Sequence, residues 1–253
     1  MVTTPDKSTQ PAALTITWER LPDTVPLDGE PVDNTGQPLI AEALREALEL
    51  TGYIQPQMLM ASNFGVCATL NGKLVIKAPD WVYVPTVMPL SSGTSDRRSY
   101  TPNLDGDIPS VVMEFLSETE GGEYSVKPTY PPGKWFFYEH ILQVPTYAIF
   151  DPALGNLEVY HLQARKYELA TPNADNRYWI AALGLFLGTW QGTKEARNGY
   201  WLRWWDESGS MLLWAVEQVE QVDQARQQVE QERQRAERMA IYLRSQGIDP
   251  DLL

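Results

Sequence analysis

Two carboxylates and one lysine stand in this sequence where they could carry out chemistry together. Asp80 follows Pro79 at the end of an apolar run. Glu114 lies inside the apolar segment 111–116, and Lys134 opens a helix-like stretch soon afterwards. Because burial of an unpaired carboxylate is very costly, Glu114 needs a partner. A divalent cation held between the two carboxylates would supply one, and the lysine would handle a proton or stabilise charge. This combination is typical of phosphodiester hydrolysis.

Each of these residues also has a simpler interpretation. Asp80 can cap a turn after Pro79, and Lys134 can be a solvated helix residue, which is the commonest position for lysine. Glu114 can form a buried salt bridge with an arginine, such as Arg97 or Arg98. The sequence pattern alone leaves these alternatives open.

The composition is that of a folded chain with a sizeable core, since 43% of its 253 residues are hydrophobic and 21% are charged. The single cysteine, Cys67, rules out an internal disulfide and suits a reducing cytoplasm. With two histidines, a zinc site of the histidine and cysteine type is not expected. Residues 1–11 have no apolar signal-peptide core, and no apolar run reaches the ~18 residues of a membrane span. We therefore expect a cytoplasmic protein with no membrane partner.

The formal net charge of −13 counts against nucleic-acid binding, which normally depends on a basic surface. Part of the excess would lie in carboxylates that face a metal. The rest is spread along the chain, where it serves solubility.

Hydrophobic periodicity predicts the elements that position the candidate residues. Segment 38–50 repeats apolar residues at helical spacing. Residues 64–70 and 73–77 form two apolar runs joined by Asn-Gly, the strongest short signal for a hairpin.

A strand–helix–strand crossover is predicted next. Residues 80–84 read as a strand, and so does segment 111–116, which is apolar on both faces apart from Glu114. Residues 134–142 read as a helix and 144–150 as the returning strand. The predicted fold class is a mixed α/β (α+β) sheet.

The C-terminal segment, from about residue 211 to 243, has no glycine or proline and keeps a seven-residue apolar pattern. The pattern, which we call the seam, consists of Leu212, Ala215, Val219, Val222, Val229, Ala236, Ala240 and Leu243, with Arg226 and Arg233 interrupting it. A helix of ~30 residues would extend ~45 Å and cannot bury such a seam alone. We expect it to form a coiled coil, and the protein to be a homodimer through it. The tryptophans at 190, 201, 204, 205 and 214 are interpreted as the packing zone where this helix leaves the body.

These patterns divide the chain into three parts. We expect residues 1–24 to be a mobile N-terminal lead-in, residues 25–205 to be the domain with the candidate chemistry, and residues 206–253 to carry the long coiled-coil-like helix.

Four short phrases carry a family resemblance: APDWV at 78–82, PSVVMEFLS at 109–117, GKWFFY at 133–138 and VPTYAIFDP at 144–152. In this order they resemble the PD-(D/E)XK nuclease superfamily, and most closely its Uma-type restriction endonuclease family of photosynthetic bacteria. The resemblance covers roughly residues 25 to 205. It implies a restriction-endonuclease-like core and a Mg²⁺-dependent endodeoxyribonuclease.

The resemblance also implies roles for individual residues. Mg²⁺ (or Mn²⁺) would be held by Asp80, Glu114 and the backbone carbonyl of Phe115. Lys134 would orient the attacking water or stabilise the phosphorane.

Two departures from the superfamily leave alternatives. Its lysine usually lies two residues after the acidic residue on the same strand, where this chain has Leu116. Lys134 on the following helix is therefore the candidate, and Lys127 in the preceding loop is second. A third carboxylate from the first helix often assists in this superfamily, and Glu46 or Glu42 would supply it here.

Two classes of function follow from these features. The first is a metal-dependent endonuclease that hydrolyses phosphodiester bonds of nucleic acid, with DNA the expected partner. The alternative is a non-catalytic nuclease-like scaffold that acts through its C-terminal coiled coil. A nuclease for branched or single-stranded substrates is a third hypothesis.

Overall fold

The computed structural model describes residues 15–19, 35–90, 96–117 and 122–246. Its helices are α1 (Gly36–Leu50), α2 (Lys134–Phe136, continued by a π-helical segment Phe137–Leu142) and α3 (Ala215–Ser245). Its strands are β1 (Ile16–Thr17), β2 (Leu59–Ala61), β3 (Val66–Leu70), β4 (Lys73–Lys77), β5 (Trp81–Val84), β6 (Val111–Phe115), β7 (Thr146–Asp151), β8 (Asn156–Gln163), β9 (Lys166–Leu169), β10 (Tyr178–Ile180), β11 (Leu185–Lys194) and β12 (Arg197–Trp205).

The predicted helices, hairpin and crossover strands are confirmed, with element ends that differ by a few residues. The buried side of α1 includes Ile40, Leu44 and Leu48, whereas Leu50 at its end is 43% exposed. Most of the predicted lead-in 1–24 lies outside the described residues.

The central sheet has six strands in the order β2-β5-β6-β7-β8-β9. Strands β6 and β7 are parallel, and the other neighbouring pairs are antiparallel. A parallel pair needs a crossover connection, and α2 provides it, as the strand–helix–strand pattern predicted. The two three-stranded sheets, β1-β3-β4 and β10-β11-β12, pack on opposite faces of this sheet.

Side-chain alternation along the central strands divides the core into two layers. On β5, Trp81 and Tyr83 pack with α1 and the β10–β12 sheet. Val82 and Val84 face the other way, towards the β3–β4 hairpin and α2. Val112 of β6 belongs to this second layer, and Glu114, two residues on, therefore projects into the same layer.

The β10–β12 sheet brings the tryptophans together against α1. The indole N–H of Trp204 donates to the carbonyl of Leu44, and that of Trp214 donates to the carbonyl of Ala43, each at 3.1 Å. The prediction of a packing zone is confirmed, since Trp201, Trp204, Trp205 and Trp214 are all buried.

Helix α3 leaves the body at this zone and runs for 31 residues with no buried side chain. On this helix the seam residues Val219, Val222 and Val229 are exposed by 60%, 49% and 66%, whereas the seam residue Leu212, which precedes the helix, is buried. Within the described residues, no helix combines the length and apolar character that a membrane crossing requires. Gly247 and Pro250, residue types that favour the end of a helix, lie outside those residues.

Candidate active site

Strand register places Asp80 beside Glu114. Trp81 pairs with Met113 across the antiparallel β5–β6 ladder, so continuing the ladder by one residue sets Asp80 opposite Glu114. Directly opposite residues in such a ladder have Cβ atoms ~5 Å apart on one face of the sheet. Asp80 is fixed there because its Oδ2 accepts the Phe115 N–H at 2.5 Å.

Helix α2 supplies two donors to Glu114, one to each carboxylate oxygen. Lys134 Nζ lies 3.1 Å from Glu114 Oε2, and the Tyr138 hydroxyl donates to Oε1 at 2.8 Å. Residues four apart lie on the same face of a helix, which explains why these two side chains reach one acceptor. Glu114 is fully buried, so this paired environment is what makes its burial possible.

A second buried glutamate, Glu123, approaches Lys134 from the loop before α2. Its Oε1 lies 3.6 Å from Lys134 Nζ. The loop is tied to the helix start, because the Phe136 N–H donates to the carbonyl of Ser125. Gly133 packs so closely on Ser125 that a side chain there would clash with it. These contacts hold Glu123 and Lys134 next to each other.

The remaining sequence candidates lie elsewhere. Lys127 is exposed on the loop, and Glu42 is exposed on α1. Glu46 pairs with Lys194 at 2.8 Å and accepts the Ala215 N–H at 2.9 Å, so it joins α1 to the start of α3. The structure therefore brings Asp80, Glu114 and Lys134 together but not these three.

The alternative that Glu114 pairs with an arginine is wrong. The cation beside Glu114 is Lys134, whereas Arg97 lies 3.9 Å from Asp105.

Burial and charge have opposite effects on the ionisation of this cluster. Burial raises the pKa of Glu114 to about 8, with the charge of Lys134 opposing the rise and that of Asp80 adding to it. Burial alone would lower the pKa of Lys134, but the carboxylates of Glu114, Asp80 and Glu123 outweigh it and raise that pKa. Burial and the neighbouring Glu114 also raise the pKa of Tyr138, which keeps its hydroxyl a donor. Lys134 is therefore the residue of this cluster that stays charged at neutral pH.

The donors present are suited to a hard divalent cation. Three carboxylates surround one ammonium, so negative charge is in excess when all are ionised. The Phe115 carbonyl accepts a 2.7 Å hydrogen bond from the Gln37 amide, which leaves it one further lone pair. No cluster of three or more histidine, cysteine, aspartate or glutamate side chains among the described residues is arranged to hold a metal. These oxygen donors fit a Mg²⁺ ion that is bound through one or two carboxylates and completes its coordination with water. They do not fit a site in which the protein supplies every ligand.

Sequence reasoning missed three residues of this site. Tyr138 has a signal, since it lies four positions after Lys134 on the same helix face. Glu123 and Gln37 had none, because only the tertiary fold brings Glu123 to Lys134 and Gln37 to the Phe115 carbonyl.

Residues 17–191, most of the chain, match the model of the Uma2 family, described as "Putative restriction endonuclease". No curated protein matches the chain significantly. The mixed sheet and the long C-terminal helix agree with a restriction-endonuclease-like fold, so the predicted fold class is confirmed.

Proposed function

From the premise that this chain belongs to the Uma2 family of restriction endonucleases, we propose that it is a Mg²⁺- or Mn²⁺-dependent endonuclease that cuts DNA. The observation that carries the proposal is the fully buried Glu114, opposite Asp80 and 3.1 Å from Lys134. Two carboxyl groups opposite each other cannot both ionise without repulsion, so this arrangement has a cost in stability that a purely structural role does not explain.

Each residue has a role that follows from its contacts. Asp80 and Glu114 would hold the metal, which supplies an acidified water and offsets charge on the transferring phosphate. Lys134 stays protonated beside them and would stabilise the negative charge that develops on the phosphate oxygens. Tyr138 holds the Glu114 carboxylate in one orientation through its 2.8 Å hydrogen bond.

Nicking of supercoiled plasmid tests the proposal. We expect the wild type to nick with Mg²⁺ or Mn²⁺, and Asp80→Ala and Lys134→Ala to lose ~10²–10³-fold in rate, as removal of a group that stabilises transition-state charge typically does. Lys127→Ala is the matched control, because this exposed lysine should be dispensable. Absence of cleavage with either metal would contradict the proposal.

A non-catalytic scaffold is the second candidate, and the open seam of α3 is the observation that favours it. A scaffold would bind partners through this helix and would not need a metal. Calorimetry separates the two candidates, because a scaffold is expected to bind neither Mg²⁺ nor Mn²⁺ at the Asp80–Glu114 pair.

Either function is compatible with a homodimer through α3, which we propose because apolar residues spaced by seven form coiled-coil interfaces. Val222→Glu with Val229→Glu should convert a dimer to the 28.6 kDa monomer in light scattering, since both changes place charge in the seam. Ile241→Glu, on an exposed position off the seam, is the control.

Truncation of the helix gives a second test of the dimer. The truncated chain should retain residues up to 221. Trp214 is buried in the core, so deletion from residue 211 would damage the folded domain. An unchanged dimer mass in the truncated chain would contradict the coiled coil.

A further inference from the structure

Glu123 is a buried carboxylate to which neither the sequence nor the family match assigns a role. It is 1% exposed, and the Tyr147 hydroxyl fixes its backbone by donating to its carbonyl at 2.9 Å. Its Oε1 faces Lys134, whereas its Oε2 is buried and has no hydrogen-bond partner among the described residues. A buried, unsatisfied carboxylate oxygen is costly, so a structural role alone does not account for it.

The position of Lys134 indicates what Glu123 can do. The ammonium nitrogen lies 3.1 Å from Glu114 Oε2 and 3.6 Å from Glu123 Oε1. It has three N–H donors and therefore can serve both carboxylates. Glu114 accepts from Lys134 and Tyr138, and a metal bound to its carboxylate would repel the Lys134 ammonium and weaken that ion pair.

We infer that Glu123 is a positioning residue for the proposed hydrolysis: it holds the Lys134 ammonium beside the site when Glu114 engages the metal. The inference rests on the proposed function. The unsatisfied Oε2 gives Lys134 a second acceptor on the same carboxylate, so the ion pair can tighten without a change in the backbone. With two of its three N–H groups on Glu123, Lys134 would keep one donor for a phosphate oxygen.

A metal ligand role for Glu123 is the alternative that the geometry does not favour. Within the part of the chain that the structure describes, the acidic residues form no metal-binding cluster of three. The ion pair that the structure gives the Glu123 side chain is with Lys134, at 3.6 Å from its Oε1. Glu123 therefore acts through the lysine.

A double-mutant cycle on single-turnover nicking tests the inference. Glu123→Gln should lower the cleavage rate ~10–100-fold, the usual loss for a residue that supports a catalytic group, with little change in KM. In a Lys134→Met background the same substitution should cause no further loss, because its effect passes through the lysine. Glu123→Asp keeps the charge and should recover part of the rate.

Two further measurements exclude a merely structural effect. Calorimetry should give the same Mg²⁺ affinity for Glu123→Gln as for the wild type. Glu139→Gln is the matched control, because Glu139 is another buried glutamate whose partners, the Tyr167 N–H and His140, lie outside the site. If Glu123→Gln fails to fold, the same double-mutant cycle can be measured with Glu123→Asp, alone and combined with Lys134→Met.

The possible outcomes separate this inference from the proposed function. Additive losses, weaker Mg²⁺ binding or an unchanged rate in Glu123→Gln, with an active wild type, overturn the positioning role alone. An inactive wild type overturns the proposed function, and the inference with it.

Discussion

Glu114→Gln is expected to abolish metal-dependent nicking and, in the absence of metal, to raise the melting temperature of the protein at about pH 8. The rate should fall by more than ~100-fold, because loss of even an outer-shell partner of a metal costs ~10–100-fold. The substitution preserves the shape of a fully buried side chain. The loss of activity would therefore come from loss of the negative charge.

The gain in stability follows from the raised pKa of Glu114. Burial raises the pKa of this carboxyl group to about 8 in the folded protein, above its ordinary value of 4.5. Between these values the folded state keeps the proton while the unfolded state releases it. The free energy of unfolding of the wild type therefore falls as the pH rises through this range. Glutamine does not titrate, so the advantage of the variant should be small near pH 5 and largest at about pH 8.

Thermal unfolding at these two pH values, with and without Mg²⁺, measures the effect. Mg²⁺ at about 100 times its Kd should stabilise the wild type by ~2.7 kcal/mol and the variant much less, since a ligand stabilises the state that binds it. Glu139→Gln serves again as the control for loss of a buried glutamate. A lower melting temperature of Glu114→Gln at about pH 8 would indicate that the ionised Glu114–Lys134 pair is structural.

Glu217→Ala should destabilise the protein by about 3–5 kcal/mol, because it leaves the buried Arg203 without its counter-ion. The Arg203 guanidinium binds both oxygens of Glu217, at 3.0 and 2.6 Å, and its side chain is 0% exposed. It also stacks 3.5 Å from the centre of the Trp214 ring. This pair fixes the first turn of α3 to β12.

Arg203→Met should cost less than Glu217→Ala, although it breaks the same ion pair. Glu217 is 22% exposed, so water can solvate its carboxylate once the arginine is gone. Methionine also retains apolar contact with the tryptophans. Urea unfolding of both variants, with Glu220→Ala at an exposed position of α3 as control, measures the difference. An equal or larger loss in Arg203→Met would contradict the asymmetry.

Local pattern was sufficient to predict most of the elements around the site. The Asn71-Gly72 turn predicted the β3–β4 hairpin, and the apolar segment around Glu114 predicted a covered central strand. These signals are local, since turn residues and side-chain alternation depend on neighbours in the chain. The pairing of β10, β11 and β12 was not predicted, because it depends on contacts between separate segments that local sequence patterns do not specify.

The sequence by itself determined that a carboxylate at 114 would be buried and would need a partner, and that 134–142 would be a helix. It did not determine which cation would be that partner or which further carboxylate would join the site. The fold decided both, because the β5–β6 register set Asp80 opposite Glu114 and the α2 crossover brought Lys134 and Tyr138 onto it. The loop packing at Gly133 then added Glu123. The burial of Glu114 could be predicted from its apolar neighbours in sequence. The groups that compensate its charge could not, because only the tertiary fold brings them within reach.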